Sequence, residues 1–231
     1  MVVHKSWKHL TMGNSYKVSN VAPYDYAKQE HSIQTAKQIF TEEFWPANVG
    51  IKNRTPIFII GFPRSGSTLL ERVLDSHPLI VGTGEDSVFN GMLEQIRNAI
   101  VDVSLTGLSQ VLQDVVREQA NNVLITIREK WEEIDRNTAK EDDALYPQCD
   151  EYNDKQECEI AVPKRFTDKM LHNYMNVGFI HLLFPNALIL HTSRNPMDTL
   201  FSAFKYDFPP GSLDYTSDFK SLNQMYRGIG I

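Results

Sequence analysis

The chain has 231 residues, 42% of them apolar and 23% charged, which is enough to bury a core without disulfide staples and too apolar for wholesale disorder. Twenty-three Lys and Arg against 29 Asp and Glu give a formal charge of −6, which argues against a nucleic-acid binder. No apolar run reaches the roughly 20 residues of a membrane span, and Met1–Leu10 lacks the apolar stretch of a signal peptide.

Residues 1–52 carry little pattern beyond a weak helical period over Tyr26–Phe44, and read as a helical extension ahead of a domain over 53–231. Ile57–Ile60 is a short apolar run bounded by Pro56 and Gly61, the pattern of a buried strand. A helix is expected from Leu69 to Leu74, stopped by Pro78, and then a strand over Leu79–Val81 that ends at Gly82. Apolar residues from Leu108 to Ile134 recur at near-helical spacing and mark a long amphipathic helix. Between Glu129 and Glu159, 12 acidic residues face 4 basic ones, a local net of −8 that leaves the remainder at +2. That stretch reads as a solvated loop or insertion. Its two cysteines, Cys149 and Cys158, have no metal-ligand spacing and could pair only in an oxidising compartment. A third strand is expected over Ala161–Phe166, a helix over Met170–Phe184, a fourth strand over Ala187–Thr192 and a helix from Pro196. Strands alternating with helices give an α/β fold: three layers around a central, mostly parallel sheet.

The sharpest local feature is Gly61–Thr68, a loop of the phosphate-cradling kind between an apolar strand and a helix. Such a turn aims backbone N–H groups and a helix N-terminus at an oxyanion. Ser67 stands where a nucleoside triphosphatase has lysine, and the positive charge comes from Arg64 instead. A triphosphatase also needs a strand ending in aspartate to hold magnesium, whereas Ala187–Thr192 runs into Arg194. Arg194 and Ser202 form a second candidate anion site at a strand's C-terminal end, where ligands bind in open α/β sheets.

On these residues the chain resembles the sulfotransferases that use 3′-phosphoadenosine 5′-phosphosulfate (PAPS). It is most similar to the tyrosylprotein sulfotransferase-like group and its relatives fused to tetratricopeptide repeats. The resemblance runs through 56–79, 84–86, 167–170 and 178–204. It implies that Arg64, Ser65, Gly66, Ser67 and Thr68 bind the 5′-phosphosulfate, and that Arg194 and Ser202 bind the 3′-phosphate. It further implies Glu85 as general base and Lys169 as the cation that stabilises the transition state. Chemically, Glu85 would take the acceptor's proton as a partly desolvated carboxylate near Val81, Val88 and Phe89. Arg64, Lys169 and backbone N–H groups would stabilise charge on the leaving phosphate. His172 and His181, which could be proposed as bases because small-molecule sulfotransferases use histidine, read as structural. The expected donor is PAPS, with no metal. The expected acceptor is a protein tyrosine or a glycan, and the resemblance leaves room for a homodimer.

The resemblance also has gaps. Tyr206 occupies the place of a second donor-binding arginine. The family's fold continues past the point where this sequence stops, so the expectation is a sulfotransferase domain missing its C-terminal part. The compartment is cytoplasmic by default and Golgi by analogy. Two other readings remain: a truncated, inactive nucleotide-binding module, and a kinase or triphosphatase, which Ser67 disfavours.

Overall fold

A computed structural model describes residues 2–21, 23–40, 50–77, 79–85, 114–126, 129, 165–170 and 173–229. The acidic stretch beyond Glu129, Cys149, Cys158, Val88, Phe89 and His172 lie outside them, as do both ends of the expected long helix.

Among the described residues four strands form one parallel sheet: β1 (Pro56–Gly61), β2 (Ile80–Gly82), β3 (Arg165–Asp168) and β4 (Leu188–Thr192), in the order β2-β3-β1-β4. β1 lies inside the sheet because its side chains are apolar on both faces: Ile57, Phe58 and Ile59 are each 1% exposed. α3 (Ser67–Asp75) follows β1, α4 (Val177–Leu183) precedes β4, and α5 (Pro196–Lys205) follows it. Residues 114–126 are helical and send Val116, Ala120 and Val123, spaced i, i+4 and i+7, into a core with Phe58, Phe166 and the buried residues of α4. Each such valine contributes roughly 1.5–3 kcal/mol on burial.

A second core gathers Phe62, Ala203, Phe204, Phe208, Leu213, Tyr215, Leu222, Met225 and Tyr226. It is built from α5, a 3-10 turn at Asp214–Ser217 and α6 (Phe219–Ile229). α6 is capped at its start by Asp218, whose carboxylate accepts the Ser221 N–H and hydroxyl, each at 2.8 Å. Burial alone would raise the Asp218 carboxyl, but the Ser221 hydrogen bonds and the nearby Lys220 leave it below its ordinary value. Against this core lie two N-terminal helices, α1 (Val2–Ser19) and α2 (Tyr26–Ile39). Trp7 of α1 packs on Phe201, Phe204 and Phe219 at 6.3, 5.9 and 5.9 Å, and Asn14 donates to the Phe204 carbonyl at 2.9 Å. No described helix is long and apolar enough to cross a membrane.

Two elements depart from the sequence expectation. β3 runs on to Asp168, two residues past the expected Phe166, and ends on the buried polar pair Thr167 and Asp168, which an apolar-run criterion passes over; its expected start at Ala161 lies outside the described residues. The expected helix over Met170–Phe184 is broken into a 3-10 turn at Asn173–Met175 and α4. Asn173 explains the break: its Nδ2 donates to Asp168 Oδ1 at 2.6 Å, tying the segment to the strand end before α4 begins.

Candidate active site

Parallel pairing places the C-terminal ends of the four strands along one edge of the sheet. The expected site residues leave from those ends: Arg64–Thr68 after β1, Glu85 after β2, Lys169 after β3 and Arg194 after β4. This is the edge at which open α/β sheets bind ligands.

The loop after β1 is held from below by Phe62, 1% exposed and packed edge-on against Tyr226 at 5.2 Å. The Ser65 N–H closes a turn on the Phe62 carbonyl at 3.1 Å. Thr192 Oγ1 donates to the Ile60 carbonyl at 3.2 Å, so the Ser65 hydroxyl donates to Thr192 Oγ1 at 2.7 Å. This contact is possible only because Gly61 has no side chain: a Cβ there would lie 2.3 Å from Thr192 Oγ1 and 2.6 Å from its carbonyl oxygen. Arg64 is the one non-glycine residue at positive φ, 73°, among those described. α3 then starts at Ser67, with Gly66 as N-cap and no side-chain capping bond. Its first N–H groups are left without a side-chain partner, in the arrangement that accepts an anion.

Arg64 is oriented across the site. Its Nε donates to Ser202 Oγ at 3.2 Å, and its guanidinium carbon lies 4.6 Å from the Tyr206 ring centroid. Tyr206, in the place where the resemblance expects a second arginine, thus positions a cation instead of supplying one. Ser202 and Arg194 both lie where expected, but no direct contact joins them. Arg194 pairs with Asp198 at 3.5 Å across one helical turn, both about half exposed. Asn195 already caps α5, its side chain accepting from the Met197 and Asp198 N–H groups.

On the other side of the loop, Lys169 Nζ meets Glu85 Oε1 at 2.8 Å. The lysine side chain is 6% exposed and the carboxylate 45%. The two residues expected to do the chemistry are therefore in contact, with the carboxylate about half exposed. Of its expected apolar neighbours, Val88 and Phe89 lie outside the described residues. His181 is exposed on α4, whose C-terminus leads to the opposite edge of the sheet, away from the loop. Among the described residues no group of His, Cys, Asp or Glu converges as metal ligands do.

Several functional neighbours escaped the sequence reading. Thr192 had a readable signal, since it is the last strand residue before Arg194 and pairs in register with Gly61. Glu71 and Thr167 had none, because their roles depend on partners brought in by the fold. Beneath the loop, Tyr24, Tyr174 and Tyr215 sit close together. Burial pushes the Tyr24 hydroxyl up to about 12, helped by Tyr26 and Asp25, and burial raises those of Tyr174 and Tyr215 too. All three stay neutral near pH 7 and are unsuited to proton transfer there.

A family model described as Sulfotransferase family matches residues 56–229, a span that contains every site residue named above. An uncharacterized protein of Aquifex aeolicus (strain VF5) is 28% identical over 207 residues, 87% of this chain and 24% of that protein. The chain therefore spans about a quarter of the length of that relative.

Proposed function

The chain belongs to the sulfotransferase family, and on that premise we propose that it moves a sulfuryl group from PAPS to a hydroxyl acceptor, a protein tyrosine or a glycan. The observation that carries this reading is the 2.8 Å Glu85–Lys169 pair on the same sheet edge as an uncapped phosphate-type loop.

The donor fits the residues present. The open N–H groups at the start of α3, with Ser67 and Thr68, offer donors to the 5′-phosphosulfate, and Ser65, whose N–H and hydroxyl bond Phe62 and Thr192, holds the loop in shape around it. Arg194 and Ser202 offer a cation and a hydroxyl to the 3′-phosphate, and Arg64 reaches between the two sites through its bond to Ser202. In the reaction the acceptor oxygen attacks sulfur in line with the bond to the bridging phosphate oxygen. The new O–S bond forms as the old one breaks, and 3′-phosphoadenosine 5′-phosphate leaves. Glu85 takes the acceptor's proton. Lys169 and Arg64 stabilise the charge that accumulates on the leaving oxygen, where a cation in a partly dry site is strongest.

The test is transfer of label from radiolabelled PAPS to a panel of tyrosine peptides and glycans. The expected result is labelled acceptor, with Glu85→Gln slowing transfer by about 10²–10⁴-fold as loss of a general base does. Transfer by Glu85→Gln at the wild-type rate would remove Glu85 from that role.

A further inference from the structure

We infer that Glu71 is a positioning residue that sets the register between Glu85 and Lys169 without touching substrate; the inference rests on the roles given to that pair above.

Glu71 lies on α3 and is only 7% exposed, an unusual place for a carboxylate unless its hydrogen bonds are made. One oxygen, Oε1, accepts both the Gly84 N–H at 2.9 Å and the Thr167 hydroxyl at 2.8 Å. One turn further along α3, Asp75 Oδ1 accepts the Gly82 N–H at 2.6 Å. The spacings explain the match. Extended N–H groups two residues apart point the same way and lie about 6.8 Å from each other. Helix side chains four residues apart are about 5–6 Å from each other. The intervening Thr83 N–H points the opposite way, to the Thr167 carbonyl at 3.4 Å. Among the described strands β2 lies at the sheet edge, and α3 covers its outward N–H groups.

Gly84 is the hub of this arrangement. Its N–H is held by Glu71, and its carbonyl accepts the Lys169 N–H at 3.0 Å. Its φ of +69° turns the chain at this point, a conformation that a side chain would strain. A closed ring results: Glu71 to Gly84, Gly84 to Lys169, back along β3 to Thr167, and from its hydroxyl to Glu71. Glu85 is the next residue after Gly84 and Lys169 carries the facing ammonium, so the ring fixes the two backbones between which the ion pair forms. An apolar side chain at position 71 would pack against the sheet without desolvating a carboxylate, but it would leave this ring open.

The experiment compares wild type, Glu71→Ala, Glu71→Gln and Glu85→Gln in three readouts: amide hydrogen exchange at Gly84 and Lys169, affinity for adenosine 3′,5′-bisphosphate, and turnover on a labelled acceptor. In Glu71→Ala both amides exchange at least ~10-fold faster and turnover falls about 10–100-fold, as for catalytic groups displaced by about 1 Å. Bisphosphate affinity stays within about threefold, because the loop and the Arg64–Ser202 contact are separate from the ring. In Glu71→Gln the amide oxygen replaces Oε1, so protection and turnover return to near wild type. Unchanged Lys169 protection in Glu71→Ala would overturn the inference. So would a Glu71→Gln variant as slow as Glu85→Gln, since that would make the charge, rather than the oxygen, the requirement. If Glu71→Ala unfolds, Thr167→Val removes one bond with little change of shape. Faster exchange at Gly84 and Lys169 in that variant supports the ring, and unchanged exchange overturns it. Wild-type turnover by Glu85→Gln defeats the general-base reading alone, because exchange at Lys169 still decides whether Glu71 sets the register.

Discussion

The Glu85–Lys169 pair is asymmetric in its exposure, and that asymmetry makes a prediction. Coulomb's law at 2.8 Å gives about 6 kcal/mol for an effective dielectric near 20, and about 1.5 kcal/mol in bulk water. With the carboxylate 45% exposed, the net interaction lies towards the lower figure. Replacing Lys169 by methionine removes the buried charge and its desolvation cost, keeps most of the volume, and leaves a carboxylate that water can reach. Its effect on stability is expected within about 1 kcal/mol. Replacing Glu85 by glutamine leaves the ammonium, 6% exposed, facing a neutral oxygen. That is expected to cost about 2 kcal/mol, less than the 3–5 kcal/mol seen when a fully buried pair is broken. Urea denaturation of the two variants at equal slope measures the difference directly. Turnover should fall in both, by about 10²–10³-fold for Lys169→Met through loss of charge stabilisation. A Lys169→Met variant less stable than Glu85→Gln would contradict this, since the lysine would then hold the fold by something other than its charge.

Three further outcomes follow from the site and its supports. Gly61→Ala should abolish bisphosphate binding and destabilise the fold by about 1–3 kcal/mol, because its Cβ would meet Thr192 Oγ1 at 2.3 Å; calorimetric titration and thermal melting check this. Ser202→Ala removes the acceptor of the Arg64 Nε–H and should weaken bisphosphate binding about 5–10-fold, as loss of about one hydrogen bond does, while adenosine 5′-monophosphate binding changes less. Asp218→Ala should cost about 1 kcal/mol near neutral pH by uncapping α6. Because the Asp218 carboxyl titrates below its ordinary 3.8 in the folded chain, its stabilisation is fully present above that value and is lost as pH falls through the lower, folded one. The gap between wild type and Asp218→Ala in melts should therefore close in acid.

What could be read from the sequence was what local chemistry determines. The apolar run ending at Gly61, the loop that follows it, and Pro196 after Asn195 fixed β1, the start of α3 and the start of α5 to within a few residues. α1 could not be read, because it shows no apolar period: what holds it is Trp7 against rings nearly 200 residues away. The end of β3 could not be read, because Thr167 and Asp168 are buried by hydrogen bonding rather than by apolarity. Within the site, Arg64 and Lys169 stand where the motifs put them, yet their partners could not be foreseen. Arg64 and Ser202 are 138 residues apart and Lys169 and Glu85 are 84 apart, and only the parallel sheet brings each pair to one edge.

The donor is the central claim, and calorimetric titration with adenosine 3′,5′-bisphosphate, against ATP with magnesium, tests it most directly. The expected result is binding of the bisphosphate without added metal, preference for it over ATP with magnesium, and at least ~10-fold weaker binding in Arg194→Ala from loss of a charged phosphate contact. Preference for ATP with magnesium would contradict it, and an Arg194→Ala variant with unchanged affinity would contradict the 3′-phosphate site.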